Sequence, residues 1–463
     1  MTTPPADRCG YTYPSDSPDT GADSTHGGSC CCRPLWGDHD RCVWHAKAAD
    51  PKPVEELRRA RETPANRELN RGCTTPGPTE RLDGARLSGD LAAIDFEGCS
   101  LVGVDFSGAV LNGGSFAGAD LREADLSGAS FYTVDFTGAD LTGVDLTGAN
   151  LQEAVLTDAK LTGATLDESF TYKSVCSRAD FRGARLVSAD LRQSTLVDAN
   201  LTTADLTEVR LQDANLSEAV LHKATLSGGQ LADADLTGAD LTGSSFHTAL
   251  LPRADLRETT LVDASFRDAD ANEADIRATD LSEATFSGTD LSRATLSAAG
   301  LAGADLTDCR FDGASLREAD LNEATLTDVS LVDADCTGCS LTGAAIHKST
   351  LREATLVGGD LTDVELTDST LVGADLGRST MMAATLADVD AREIDCTGAT
   401  ISESTLETMD LTDAVLTDAT LADSTVDRST LSGATLSGAT LSAVSARGTD
   451  FADTDFRMAR LTD

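Results

Sequence analysis

The chain is poor in what ordinary globular cores are built from. Aromatic residues are only 4% of 463, with 2 Trp and 4 Tyr, so no conventional aromatic core is available. No apolar run approaches the roughly 20 residues of a membrane span, which excludes a spanning helix. The N-terminus, MTTPPADRCG, has neither a charged n-region nor an apolar h-region; this predicts no secretory signal and a cytoplasmic chain. Positive charge is also scarce. Lys plus Arg is 36 against 77 Asp plus Glu, a net charge of −41, which argues against direct nucleic-acid binding through phosphates. The length would suit about three ordinary domains. High charge raises long disorder as an option, but Leu is too frequent and too regularly placed for that.

The acidity has a particular make-up: 56 Asp, 21 Glu, and only 6 Lys beside 30 Arg. Excess Asp with little Lys resembles proteins of extreme halophiles. At about 1 M salt the Debye length is roughly 3 Å, so such charge repels weakly. In dilute buffer it pushes the fold apart. A second reading of the same charge is imitation of DNA.

From Leu91 to Leu461, one position in five is large and apolar. Of these 75 positions, 68 are Leu, Phe, Ile, Met or Val. Thr171, Ala271, Ala391 and Ala446 are small or polar, and Cys176, Cys336 and Cys396 are thiols. Two positions earlier sits a small residue, Ala at 42 of 74 sites. Leu82 and Leu87 are one residue out of step, which predicts a single register slip near Ser88–Asp90.

A five-residue step smears the Leu set around an α-helix and alternates its face along a continuous strand. Residues i−2 and i do share one face of a short extended segment. Ala and Leu then point inward, the Asp or Thr between them points out, and two more residues turn a corner. The chain becomes a stacked polygon, with parallel ladders about 4.8 Å apart. Phe96, Phe116 and Phe136 are spaced by twenty, as are Phe246, Phe266 and Phe286, which suggests four sides per turn.

The A(D/N)LXX unit, as in Ala119-Asp120-Leu121-Arg122-Glu123, resembles the pentapeptide-repeat family. The resemblance covers about residues 82–463. It implies an all-β fold, a right-handed quadrilateral parallel β-helix of about 19 coils, on the order of 90 Å long at the parallel-strand spacing. Three regions are expected: a Cys/His-rich segment over 1–48, a short helical cap and linker over 49–80, and the β-helix over 81–463.

The first 80 residues hold both Trp, six of 12 Cys and three of six His, with a charge of only −2. Cys9, Cys30-Cys31-Cys32, Cys42 and His45 form the notable cluster. Thiolates and imidazole in a segment with little core suit one structural, tetrahedral zinc, with Cys9, Cys32, Cys42 and His45 as ligands. Disulfides compete for the same thiols, but cytosolic thiols stay reduced. The leader is similar to Cys/His-rich N-termini that accompany these repeats in halophilic archaea. Cys32 is preferred because Arg33-Pro34 resembles that context, and Cys30 serves nearly as well. Asp50 to Arg61 reads as a short helix, capped by Asp50 and ended at Thr63-Pro64, that covers the first coil.

Cys99, Cys309 and Cys339 occupy the small inward site, and Cys176, Cys336 and Cys396 the large one; all read as core. His222, His247 and His347 should point outward. Carboxylate ladders put many pairs about 5 Å apart, so proximity marks no acid–base pair, and no catalytic residues are assigned. One stretch, Asp167 to Cys176, is irregular: Thr171 stands at a large site, and Phe170 and Tyr172 fall outside the usual aromatic position. It predicts a bulge or bowed corner, or a protruding contact site.

These features point to a non-enzymatic protein-binding or scaffold rod with an unidentified protein partner. The alternative is a DNA-mimicking modulator of a type II topoisomerase, because some members of the family bind gyrase this way. Phe451, Phe456 and Leu461 end the repeat in register and predict an apolar floor that pairs as a C-terminal homodimer.

Overall fold

A computed structural model describes residues 83–84 and 86–462. The chain divides into two compact units, Met1–Arg210 and Leu211–Asp463. In each, the described residues form a parallel β-solenoid with four pentads to a turn. Bridges join residues twenty apart: Asp105, Asp125 and Asp145 in the first unit, and Asp235, Asp255 and Asp275 in the second. No helix occurs among the described residues.

The second unit lengthens some sides into three-residue strands. In chain order these are β1 (Thr325–Thr327), β2 (Ala345–His347), β3 (Glu365–Thr367), β4 (Thr380–Met382), β5 (Thr385–Ala387), β6 (Thr400–Ser402), β7 (Thr405–Glu407), β8 (Thr420–Ala422), β9 (Thr440–Ser442) and β10 (Arg460–Thr462). They make two parallel sheets, β1-β2-β3-β5-β7 and β10-β9-β8-β6-β4.

Burial follows the pentad. Both inward sites are buried along the solenoid, from Ile94 and Phe96 in the first unit to Ala439 in the second, and the residue between them faces out. Burying each Leu contributes roughly 1.5–3 kcal/mol, which suffices for a thin core repeated many times. Rings twenty apart do stack. Phe96 and Phe116 have centroids 4.9 Å apart, and Phe246 and Phe266 lie 4.7 Å apart at an interplanar angle of 5°. The register slip is present as well: Arg86 bridges Asp105, nineteen residues on instead of twenty.

The backbone of one pentad shows what the sequence must provide. Asp120 N–H donates to Cys99 C=O in the coil before, at 2.9 Å. Leu121 and Glu123 donate to Asp140 and Thr142 in the coil after, at 2.7 and 3.1 Å. Ala124 closes the corner by donating to Leu121 C=O at 3.0 Å, and Glu123 has φ 59°. Positive φ at the third residue of a closed four-residue turn is type II geometry. Four N–H groups in five thus find backbone acceptors. The fifth, on the first corner residue, does not, and a buried or half-buried donor needs a partner.

Aspartate supplies it. Arg122 N–H donates to Asp120 Oδ1 at 3.3 Å, Ser127 N–H to Asp125 at 3.0 Å, and Thr137 N–H to Asp135 at 2.8 Å. This is an Asx turn. Where the outward residue has no carboxylate, a carboxylate or amide one coil earlier can stand in. Asn112 Oδ1 accepts from Tyr132 N–H at 3.0 Å, Asp167 from Val187 at 3.1 Å, and Asp427 from Arg447 at 2.8 Å. The acidity of the repeats therefore has a structural cause that solvation alone does not contain.

The expected bulge or bowed corner at Asp167–Cys176 is absent. Glu168 and Lys173 have φ 55° and 57°, like every other corner, and Phe170 bridges Asn150 and Asp190 in normal register. The core absorbs the polar residue instead. Thr171 is 1% exposed; its Oγ1 lies 3.1 Å from Ser169 Oγ, and Ser194 Oγ donates to its carbonyl at 2.6 Å. Small hydroxyls with satisfied hydrogen bonds fit where Leu usually sits.

The Asx turn makes a sharp prediction at Asp240, whose Oδ1 accepts from Thr242 N–H at 3.1 Å. Asp240→Asn keeps the acceptor and should leave urea stability nearly unchanged. Asp240→Ala should lose about 1 kcal/mol, the usual size of a lost cap. Equal losses in the two variants would assign the effect to charge and not to the acceptor.

Candidate interaction face

The described surface is mostly ladders of Asp, Ser and Thr interrupted by Arg. The arginines are largely engaged. Arg at the first corner grips the Asp two residues earlier: Arg122 on Asp120 at 2.7 Å, Arg182 on Asp180 at 2.6 Å, and Arg392 on Asp390 at 2.8 Å. These hydrogen bonds hold Asp120, Asp180 and Asp390 below the usual carboxylate range. At Asp190 burial opposes the charge, but the bonds from Arg192 outweigh it and the carboxyl is again held low. Such groups are fixed anions, unsuited to proton exchange near neutral pH.

The thiols of the repeats are core groups. Burial pushes Cys176, Cys309 and Cys396 up to about 12, and a hydrogen bond with Cys339, together with burial, raises Cys336. His222 and His347 are half-buried and His247 is exposed, each outside the core as expected. Among the described residues no three His, Cys, Asp or Glu side chains gather as metal ligands. Cys9, Cys32, Cys42, His45 and the segment 50–61 lie outside the described residues.

One face of the first unit breaks the surface pattern. Its bridge ladder runs Asp90, Val110, Ser130, Asn150, Phe170, Asp190, Arg210. Two residues beyond the four middle rungs stand Asn112, Tyr132, Gln152 and Tyr172. Across those four coils neither position carries a charge. Val110 is 37%, Tyr132 41% and Phe170 50% exposed, so apolar surface is offered to solvent. Tyr132 Oη donates to Glu153 at 3.3 Å and Tyr172 Oη to Gln193 at 2.8 Å, each reaching one coil along the face. Lys173 Nζ and the Arg192 guanidinium lie 5.1 and 5.8 Å from the Tyr172 ring centroid, within cation–π range. Around the corner Val175 is also exposed.

Sequence reasoning singled out Phe170 and Tyr172 but missed Val110 and Tyr132. The signal was available. Written at a period of twenty, Tyr132 and Tyr172 share one column, and Val110 and Phe170 share another.

In the second unit, the last coil has a different exposure. Phe451 and Phe456 are half-buried with centroids 5.6 Å apart, and Leu461 and Met458 are 68% and 87% exposed.

Comparison with known proteins gives the family. A model of pentapeptide repeats matches residues 90–128, 129–167, 174–213, 214–251, 249–288, 394–433 and 429–463. A second, described as a pentapeptide repeat region, matches 304–381. Similar solved structures include HetL, a pentapeptide repeat protein involved in heterocyst differentiation regulation from the cyanobacterium Nostoc. It is 27% identical, with 56% of this chain and 89% of that one covered and a TM-score of 0.16. QnrB1, a plasmid-mediated fluoroquinolone resistance protein, is 18% identical over 54% and 92% of the two chains, with a TM-score of 0.19. A pentapeptide repeat protein from the Arabidopsis thaliana thylakoid lumen is 36% identical over 22% and 64%, with a TM-score of 0.12. Among curated proteins none matches. The repeat models together match more than half of the sequence, in step with the pentads of both units, and the chain belongs to the pentapeptide-repeat family.

Proposed function

We propose that this protein is a non-enzymatic, protein-binding scaffold that works in concentrated salt in the cytoplasm. The observation that carries the reading is the uncharged face of Val110, Tyr132, Phe170 and Tyr172 on an otherwise acidic surface. Tyrosine beside cations and apolar rings is the composition of interface hot spots. Apolar contact also keeps its strength where salt screens charge. Affinity capture in about 1 M KCl, where the Debye length is near 3 Å, tests the reading. Proteins captured by the native chain should be lost with Phe170→Asp, and an identical set from both would remove the face from the function. No feature of the described residues favours the topoisomerase alternative over this one.

Adaptation to salt rests on the 65 acidic and 26 basic residues that follow residue 80. Their mutual repulsion is relieved by screening. The melting temperature should rise steeply between about 0.1 M and about 1 M KCl, as the Debye length shortens from about 10 Å to about 3 Å. A flat curve would mean that the Arg–Asp pairs already compensate the ladders.

Structural zinc at Cys9, Cys32, Cys42 and His45 completes the proposal. A short segment with little core gains its folding energy from such a site. Purified protein should contain about one zinc per chain, and Cys42→Ser should lose it while the β signal of the repeats stays intact. Metal analysis without zinc, after expression with zinc supplied, would sink the assignment. Pairing of two copies through the last coil, where Leu461 is exposed beside the half-buried Phe451 and Phe456, belongs to the same proposal. Leu461→Asp is the variant that would separate them.

A further inference from the structure

The uncharged face of the first unit offers Val110, Tyr132 and Phe170 to solvent, a form that gains only when something covers it. The chain itself carries a suitable cover. Both Trp precede the solenoid, in the pairs Leu35-Trp36 and Val43-Trp44. From Leu35 to Trp44 there are two Asp and one Arg, so the segment is close to neutral. This segment lies outside the described residues, and the chain that follows it joins the solenoid at Asp83. That junction is anchored: Asp83 Oδ1 accepts from Ser100 Oγ at 2.6 Å and from Val102 N–H at 3.2 Å.

From these facts we infer that the Leu35–Trp44 segment docks on the uncharged face of its own chain and covers it, so that a partner gains the face by displacing the segment. The inference rests on reading the face as a protein-contact surface and names its resting occupant. Tryptophan is the side chain most enriched at interface hot spots, and each one buries a large apolar area. The spacing fits. Val110 and Phe170 are three coils apart, about 14 Å at the parallel-strand spacing. Trp36 and Trp44 are eight residues apart and reach up to about 26 Å when extended. One Trp can therefore lie on each apolar rung, with the tyrosines between.

The connection reaches as well. Phe170, at the far end of the face, lies between four and five coils beyond the junction, about 20 Å along the axis. Thirty-eight residues separate Trp44 from Asp83, a contour of up to about 125 Å and a span of roughly 34 Å as a free chain. A tether of this kind holds its end at an effective concentration on the order of millimolar. A second copy reaches that level only in millimolar protein, and it brings another strongly acidic solenoid whose carboxylate ladders repel the first. The first 80 residues carry only −2 of the net −41, so the tethered segment approaches without that penalty.

Tryptophan fluorescence of the full chain tests this, because the solenoid contains no Trp and the signal reports the segment alone. In about 1 M KCl the emission should be blue-shifted and shielded from acrylamide, equally at every protein concentration. Phe170→Asp and Val110→Asp should each shift it to the red and raise quenching severalfold. Both place Asp at an outward rung, where Asp is common, and circular dichroism checks that the coils still form. Leu250→Asp, at an exposed outward rung of the second unit, should change nothing. Emission indifferent to both face variants would overturn the inference, and so would shielding that appears only as concentration rises, which would name a second copy instead. A benzophenone amino acid at position 170 should cross-link to Leu35–Trp44 of the same chain. If it cross-links a different protein from a lysate and never this segment, the segment is excluded and the contact-surface reading stands. If it cross-links nothing, both fall.

Discussion

One backbone donor per pentad governs this molecule. A corner every five residues lets four N–H groups bond to neighbouring coils or across the turn, and leaves the first corner N–H without a backbone acceptor. A side chain meets that demand in many of the described pentads. The short reach of Asp or Asn, either from the outward rung or from the corner of the preceding coil, is what fits. Much of the composition follows from it. Asp outnumbers Glu because Glu is one carbon too long for the Asx turn. Arg can follow Asp because the guanidinium then bonds the carboxylate bidentately, as Arg182 does on Asp180. The net charge of −41 is in part the sum of many local hydrogen-bonding choices.

The second demand falls on the next corner residue, which has positive φ throughout. Glycine adopts that conformation freely, yet Asp, Glu, Arg and Thr taken together fill it more often. Thr133, Thr203, Thr248 and Thr408 are the most strained type there, being β-branched. Each donates its hydroxyl to the carbonyl of the residue before, at 2.6–2.8 Å, which offsets part of the strain. The stacked coils hold these corners in place, since Thr133 and Thr203 are flanked by inward residues that are 0–1% exposed.

The fold was almost wholly legible, and for a physical reason. A period of five with two inward sites is incompatible with a helix or a long strand, so the polygon follows by exclusion, and the Phe columns at twenty give its four sides. The irregularity at Asp167–Cys176 was misread because a polar residue at a large site looks like a break. Ser169, Thr171, Ser174 and Ser194 instead bond one another and the backbone in the core. The interaction face was half legible. Phe170 and Tyr172 stand out locally, whereas Val110 and Tyr132 become neighbours of theirs only once the chain is wrapped at twenty. The proposed zinc ligands rest on residue type and spacing alone.

A solenoid separates what holds it together from what it displays. The inward sites and the corner geometry are the same on all four sides, so outward rungs can vary as long as the first corner donor is met. Departures from Asp or Asn at those rungs are therefore informative. Val110 and Phe170 carry no side-chain oxygen, so the donors of Asn112 and Tyr172 lose the acceptor that an Asp would bring. Val155 and Val175, around the corner, do the same for Thr157 and Ser177. Each such rung forgoes about 1 kcal/mol of capping and exposes apolar surface as well. Four of them on two adjacent sides of one unit, beside Tyr132 and Tyr172, run against what stability and solubility alone favour. A surface of that form at a cost in stability is what the proposed protein-contact reading would require, since the apolar groups gain only where a partner covers them.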